Sequence, residues 1–226
     1  MESSLPIVSC MDFNPDKMTI KDHKMIYRYL VSEEPEFVIS FPDSITDLEL
    51  DINFDLSFVI LPKYLQKLTF GSYFDFDIRD AGFPSTLVYL KMGLWFNQEI
   101  RDANLPDGLE YLILGFSFMK SIQNANLPKS LKHLELGHCF DQPIIDANLP
   151  DDLAYLKFGE NFNHPICNAN LPKGLKHLIL GTCFDQSLKN ANLPDGLTHI
   201  TVGYYFVENP KDCNLPKSLV QFNQWN

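Results

Sequence analysis

The chain is short of positive charge: it has 18 Lys and Arg against 29 Asp and Glu, which gives a formal net charge of −11. Nucleic-acid binding needs clustered Lys and Arg that displace counterions, and an acidic membrane surface attracts basic segments, so the charge argues against both partners. No stretch approaches the roughly 18 apolar residues of a membrane span, and the first residues lack the features of a secretory signal. We therefore expect an intracellular protein of the cytoplasm.

Cysteine pairs and catalytic motifs are missing as well. The five cysteines are odd in number and include no CxxC pair, which predicts neither a disulfide framework nor a zinc ribbon. The sequence contains no G-x-S-x-G, Walker loop, H-E-x-x-H or G-x-G-x-x-G motif. We expect no enzymatic activity, no cofactor and no metal site.

What the sequence has in abundance is self-similarity. Prolines recur every 22 residues from Pro62 to Pro216, and glycines keep the same spacing from Gly71 to Gly203. A phenylalanine follows each of these glycines three residues later. Such a period predicts a solenoid, in which each repeat is one coil stacked on its neighbours. We expect about nine coils over residues 42–226, the first short and the last incomplete.

One clean copy, LPKSLKHLELGHCFDQPIIDAN, occupies residues 127–148. Its Leu134 and Leu136 have the period-two spacing of a short strand, so each coil should add one strand to a parallel sheet. The proline holds an extended backbone that cannot continue a helix, which predicts an extended or turn-like opposite side. The glycine ends the strand where a positive φ or a close approach of the next coil is needed, and Asn148 sits where a side chain can satisfy turn backbone groups.

A longer period of 44 residues is superimposed on the first. The residue after the LP proline alternates in sign along the chain: Asp107, Lys129, Asp151, Lys173, Asp195 and Lys217. The unit LPK-x-LKHL-x-LG-x-CFDQ also returns after 44 residues. This pattern indicates growth by duplication of coil pairs.

The pattern L-x-x-L-x-L/F-G-x-x-F-N/D-Q-P-I resembles the FNIP-repeat (FGxxFN-type) branch of leucine-rich repeat proteins, and the resemblance covers about residues 42–226. Residues 140–144 and 162–166 match best. The resemblance implies a curved, mainly β solenoid with a spine of stacked phenylalanines and an Asn or Asp after each of them. Met119 and Val207 replace that Asn or Asp, so its ladder should be broken at both places. Relatives abound in giant viruses of protists and in social amoebae, and a viral member would act in the host cytoplasm on host proteins.

Residues 1–41 are expected to form a small N-terminal cap, because a solenoid must cover its terminal coil. Within the cap, Thr19–Val31 is predicted to be a helix. Its first residues, 19–22, resemble a capping box, and Met25, Ile26, Tyr29 and Leu30 belong to one apolar face.

This cap leaves two function classes open. The favoured class is a non-catalytic scaffold for protein–protein interaction. The alternative is a substrate-receptor subunit of a ubiquitin ligase, since some relatives carry an F-box ahead of the repeats, and Leu5 and Pro6 followed by a helix resemble a divergent F-box-like start. About 40 residues with one helix fall short of a module that folds and docks by itself, which favours the scaffold.

The outward strand positions are the candidate binding surface for a protein partner. The first column, expected on the concave face, follows Lys67 and comprises Tyr89, Tyr111, His133, Tyr155, His177 and His199. The second column comprises Thr69, Lys91, Ile113, Glu135, Lys157, Ile179 and Thr201. Rings about 4.8 Å apart can stack, so the first column either stiffens the sheet or binds the partner, and the two roles are compatible.

The last copy, LPKSLVQFNQWN, ends at its strand, with Gln224 at a core position. Phe222 and Trp225 are therefore predicted to lie at an open edge. We expect this end of the solenoid to pair with a second copy as a homodimer.

Overall fold

In the computed structural model, residues 7–9, 18–29 and 35–225 are described. A small parallel sheet contains β1 (Ile7–Ser9), β4 (Val38–Ser40) and β6 (Val59–Ile60). Two short 3-10 helices span Leu56–Phe58 and Pro210–Asp212.

The other eleven strands of the described residues belong to one large sheet, in which neighbouring coils contribute neighbouring strands. They are β2 (Met18–Lys21), β3 (Lys24–Tyr29), β5 (Asp47–Ile52), β7 (Lys67–Phe70), β8 (Tyr89–Lys91), β9 (Tyr111–Ile113), β10 (His133–Glu135), β11 (Tyr155–Lys157), β12 (His177–Ile179), β13 (His199–Val202) and β14 (Gln221–Gln224). The strands pair in parallel from β3 through to β14, and only β2 is antiparallel to its neighbour. The predicted mainly β solenoid of about nine coils is confirmed.

A continuous column of phenylalanine rings forms the centre of the coils. Neighbouring rings from Phe74 to Phe206 lie 6.1–6.4 Å apart between centroids and within 18° of parallel. All of these side chains are buried, as are the inward residues at the strands of the repeats from β7 to β13, such as Leu134 and Leu136. Offset stacking of this kind adds roughly 0.5–1.5 kcal/mol per pair beyond burial. The phenylalanine spine is therefore present and extends along the repeats.

The glycine after each strand is required by the close stacking of the coils. An ideal Cβ on Gly137 would lie 1.8 Å from the carbonyl oxygen of Gly115, and one on Gly181 would lie 1.8 Å from that of Gly159. Among the glycines of the chain only Gly82 has a positive φ, at 61°. Of the two predicted reasons for the glycine, the close approach of the next coil is therefore correct.

Asparagine supplies the left-handed turn on the opposite side of the coil. Residues 104, 126, 148, 170 and 192 are all Asn and have φ values of 46–50°. Asn tolerates this region better than most residues because its short amide bonds locally to the backbone. Nδ2 of Asn104 donates to the carbonyl of Arg79 at 3.2 Å, and Nδ2 of Asn192 donates to that of Cys167 at 3.1 Å. The predicted role, a side chain that satisfies turn backbone groups, is confirmed at Asn104 and Asn192.

A ladder of side-chain hydrogen bonds follows the phenylalanines. Oδ1 of Asp75 accepts the backbone N–H of Asn97 at 2.8 Å, and Oδ1 of Asn97 accepts that of Met119 at 3.0 Å. The same bond recurs where Oδ1 of Asp141 accepts the backbone N–H of Asn163 at 3.1 Å. The Met119 side chain has no oxygen to accept the next N–H, so the ladder is interrupted there as predicted.

We expect the substitution Met119→Asn to stabilise the protein by about 1 kcal/mol, the typical net contribution of one hydrogen bond. The new amide oxygen would accept the backbone N–H of Asp141, as the side chain of the preceding coil does for residue 119 itself. Urea denaturation measures the change. Met119→Leu is the matched control and should leave the midpoint unchanged, because it keeps the side chain apolar; equal shifts in both variants would contradict the ladder explanation.

The predicted helix Thr19–Val31 is wrong over the residues described. Residues 18–29 form an antiparallel hairpin of β2 and β3, which turns at Asp22 and His23 with φ values of 50° and 64°. In β3, Met25, Tyr27 and Tyr29 are buried while the residues between them face outward. Six residues of β3 pair in parallel with β5. The strand is favoured because it extends the sheet and covers the first coil. A helix formed by the same residues would leave the edge of the sheet unpaired.

Candidate interaction surface

The strand register places the first-column residues side by side across the large sheet. Tyr89 pairs with Tyr111, His133 lies between Tyr111 and Tyr155, and His177 is opposite Tyr155. His199 follows on the next strand. We call the outward side chains of β7–β13, together with the residue that precedes each strand, the sheet face. All six predicted rings belong to it.

Within the column, close ring contacts alternate with looser ones. His133 and Tyr155 are stacked with centroids 4.1 Å apart and an interplanar angle of 4°, and His177 and His199 are stacked at 4.4 Å. The intervening pairs, such as Tyr111 with His133 at 5.4 Å, are tilted by about 34–35°. The array is therefore a set of ring pairs rather than a uniform stack.

A small polar network crosses the middle of the sheet face. Oε1 of Glu135 is hydrogen-bonded to Nε2 of His133 at 2.8 Å, and its Oε2 accepts from Nζ of Lys157 at 3.3 Å. The hydrogen bond with His133 and, to a lesser extent, the charge of Lys157 hold the pKa of the Glu135 carboxyl below its usual range, against the effect of burial. This carboxylate is therefore ionised and already partnered by groups of the same face.

Burial acts on the rings of the column. It raises the pKa of the Tyr89 and Tyr155 hydroxyls, which stay protonated. It also lowers the pKa of His177, and the neighbouring His199 lowers it further because two charged imidazoles would repel each other. At neutral pH the face therefore presents neutral phenol rings and hydrogen-bonding imidazoles.

A cluster of exposed apolar side chains at the carboxyl ends of the strands was not predicted from the sequence. It consists of Tyr73, Leu94, Trp95, Phe116 and Met119, which are 45–61% exposed. Four of them occupy the two positions between the glycine and the phenylalanine of successive coils, and the fifth follows the phenylalanine. Contiguous apolar surface of this kind is typical of interaction sites. A comparison of the residues at these variable positions from one coil to the next would have predicted this cluster from the sequence.

Phe222 in the last strand and Trp225 directly after it are the two residues predicted to lie at an open edge. Phe222 is half-buried, with its ring 6.1 Å from that of Phe206, and Trp225 is 37% exposed. The prediction that Gln224 occupies a core position is wrong, because its side chain is exposed. Its Nε2 donates to the carbonyl of Phe206 at 2.7 Å and to that of Gly203 at 3.3 Å. A polar residue can occupy this register because it bonds the carbonyls of the preceding coil.

Membrane-spanning helices and metal sites are two further features to consider in the described residues. No helix among them is long and apolar enough to cross a membrane. They also contain no group of three or more His, Cys, Asp or Glu side chains arranged to hold a metal ion.

Parallel coils of one strand each, a phenylalanine spine and an outward ring column define a repeat solenoid of the leucine-rich type. The FNIP repeat matches four segments of the sequence, residues 55–94, 96–139, 140–183 and 184–222, and the chain belongs to this family. Each matched segment covers two coils, in agreement with the 44-residue period.

A solved structure with the same architecture is that of CroV588, described as a novel circular LRR protein. The two proteins share 26% identity with a TM-score of 0.58, and the match covers 93% of this chain and 44% of the other. This chain therefore spans less than half the length of CroV588. No curated protein matches the sequence.

Proposed function

We propose that this protein is a non-catalytic scaffold that binds another protein through the sheet face. The observation that carries the proposal is the column of six Tyr and His rings, which the register places side by side on a sheet of parallel strands. A solenoid of this kind offers an extended surface whose side chains vary while the scaffold stays the same.

The chemistry of the column suits a protein interface. Tyr and His combine an apolar ring with a hydrogen-bonding group, and few rotatable bonds must be fixed when they bind. Contacts within the column already restrict the rings; those of His133 and Tyr155, for example, are stacked on each other. Tyr111 is 40% exposed and is the most accessible ring of the six. A partner would therefore meet a preorganised surface.

The test is the triple substitution of His133, Tyr155 and His177 by alanine. We expect the partner that the wild-type protein captures from cell lysate to be lost, as measured by pull-down and mass spectrometry. A matched control replaces Lys129, Lys173 and Lys217, which are exposed on the LP turns, and should retain capture. Retained capture by the ring variant together with a lower melting temperature would make the column purely structural.

The ubiquitin-ligase alternative is less well supported. It depended on a helix after Leu5 and Pro6; those two residues lie outside the described part of the chain, and residues 18–29 form a hairpin. Co-purification with a cullin-adaptor protein would favour it over the scaffold.

A homodimer through the end of the solenoid remains a prediction. It is supported by the exposed side chains of β14 and its surroundings, with Val220 at 77% and Trp225 at 37% exposed. Analytical ultracentrifugation at micromolar concentration should detect a dimer that the double substitution Val220→Ser and Trp225→Ser abolishes. A strict monomer in the wild-type protein would refute it.

A further inference from the structure

The sign of the charge reverses on the sheet face. The whole chain has 29 acidic and 18 basic residues. From Lys67 to Thr201 the sheet face carries two glutamates, Glu110 and Glu135, and no aspartate. On the same positions are five lysines and three histidines: Lys67, Lys91, Lys132, Lys157, Lys176, His133, His177 and His199. The acidic residues of this protein thus lie mainly elsewhere on its surface.

Both glutamates of the face are already neutralised within it. Nζ of Lys132 lies 2.6 Å from Oε1 of Glu110, and this hydrogen bond raises the pKa of the Lys132 ammonium. Glu135 is held between His133 and Lys157. An incoming partner would therefore meet no unpaired carboxylate at these two positions.

Of the three other lysines, Lys67 is paired with Asp47 of β5, with Nζ 3.5 Å from Oδ2, whereas Lys91 and Lys176 have no ion pair among the described residues. Lys91 is exposed at the end of β8, where its neighbours in register are Thr69 and Ile113. Lys176 is exposed before β12, and its Nζ donates to the carbonyl of Gly196 at 3.2 Å. Each can gain a carboxylate partner without breaking an existing ion pair.

The surface between these lysines carries apolar side chains beside Glu110 and Glu135, whose carboxylates are already paired within the face. It includes Tyr111 and Ile113 on β9 and Ala154 and Tyr155 at β11. Because β8 and β12 are four strands apart, the two lysines are separated by about 19 Å across the sheet. Lys176 also lies three register positions before Lys91 along the strand direction, about 10 Å, so the full separation is about 22 Å, which an extended chain covers with about seven residues.

From this charge pattern and spacing we infer that the partner of the sheet face is an extended acidic polypeptide segment. Its carboxylates contact Lys91 and Lys176, and its apolar side chains lie on Tyr111, Ile113 and Tyr155. This inference rests on the proposed function and names the chemical class of the partner. A single-stranded nucleic acid fits less well, because it needs a continuous row of free cations along its backbone.

The inference is tested with a fluorescein-labelled peptide of about 12 residues that alternates Glu-Glu and Tyr-Tyr pairs, so that each face of the extended chain presents both residue types and the peptide is long enough to span the two lysines. Fluorescence anisotropy should show binding that weakens as salt is added. The charge reversal Lys91→Glu with Lys176→Glu should weaken binding at least about tenfold, since two favourable contacts become repulsive. The matched control Lys129→Glu with Lys217→Glu makes the same change in net charge on the LP turns and should bind like the wild type.

Three outcomes would overturn the acidic partner: equal affinity for a Lys–Tyr peptide, equal weakening by the control pair, or tighter binding of an oligouridylate of the same length. If the charge-reversal variant unfolds, the variant Lys91→Gln with Lys176→Gln is used in its place.

Failure of the proposed scaffold function can be distinguished from failure of the acidic partner. If the Tyr and His triple variant binds the acidic peptide as well as the wild type, the ring column is not the site. If the ring variant loses the lysate partner and the charge reversal keeps it, the scaffold function holds and the acidic class fails.

Discussion

Gly137→Ala is expected to lower the free energy of unfolding by at least about 3 kcal/mol, among the largest effects of a single methyl group. The added Cβ would lie 1.8 Å from the carbonyl oxygen and 2.9 Å from the carbonyl carbon of Gly115. Both atoms belong to the backbone of the preceding coil, so no side chain can rotate away. The steric clash can be relieved only if the two coils separate. That separation would also weaken the contacts between their strands and phenylalanine rings.

The matched control is Gly108→Ser, on the LP turn. An ideal Cβ there has its nearest neighbour at 3.3 Å, and the same position holds Ser130 and Asp152 in other coils. Oγ of Ser130 donates to the carbonyl of Leu109 at 2.7 Å, so the new serine should be neutral or slightly stabilising. Urea denaturation followed by circular dichroism compares the two variants. Similar losses at both glycines would show that coil contact is not the reason for Gly137.

Phe140→Ala should destabilise the protein by about 3–5 kcal/mol, the range found for large aromatic truncations in cores. Its ring is fully buried, with centroids 6.1 Å from Phe118 on one side and 6.2 Å from Phe162 on the other. Removing it leaves a cavity in the middle of the spine and deletes two stacking contacts. The neighbouring coils cannot close the gap, because their separation is fixed by the strand hydrogen bonds.

Phe116→Ala provides the comparison within the same chain. Its side chain is 45% exposed at the carboxyl ends of the strands and stacks on His138 at 4.3 Å. Losing this contact should cost below about 1 kcal/mol, as for most exposed positions. Thermal and urea unfolding of the two variants measures the difference. A Phe140→Ala variant as stable as Phe116→Ala would mean that the spine contributes little to stability.

The fold was predictable because every coil repeats the same local interactions with its neighbour at a constant offset. Leu134, Gly137 and Phe140 belong to registers that recur every 22 residues, so a single period specifies strand pairing, core and spine together. The side-by-side placement of the ring column followed from the same register. The N-terminal hairpin has no repeated partner in the sequence, and Met25 and Tyr29 fit a helical spacing together with Ile26 and an extended spacing together with Tyr27.

The sequence by itself determined the period, the buried positions and the residues that face outward on each strand, because these follow from alternation and repetition. Tertiary structure alone decided that β3 joins the sheet, and that the glycine is needed for contact between coils. It also decided which rings pair closely and that Glu110 and Glu135 are ion-paired with lysines of the same face. These outcomes depend on the distances between particular side chains and backbone atoms, which differ from coil to coil even when the spacing of the residues does not.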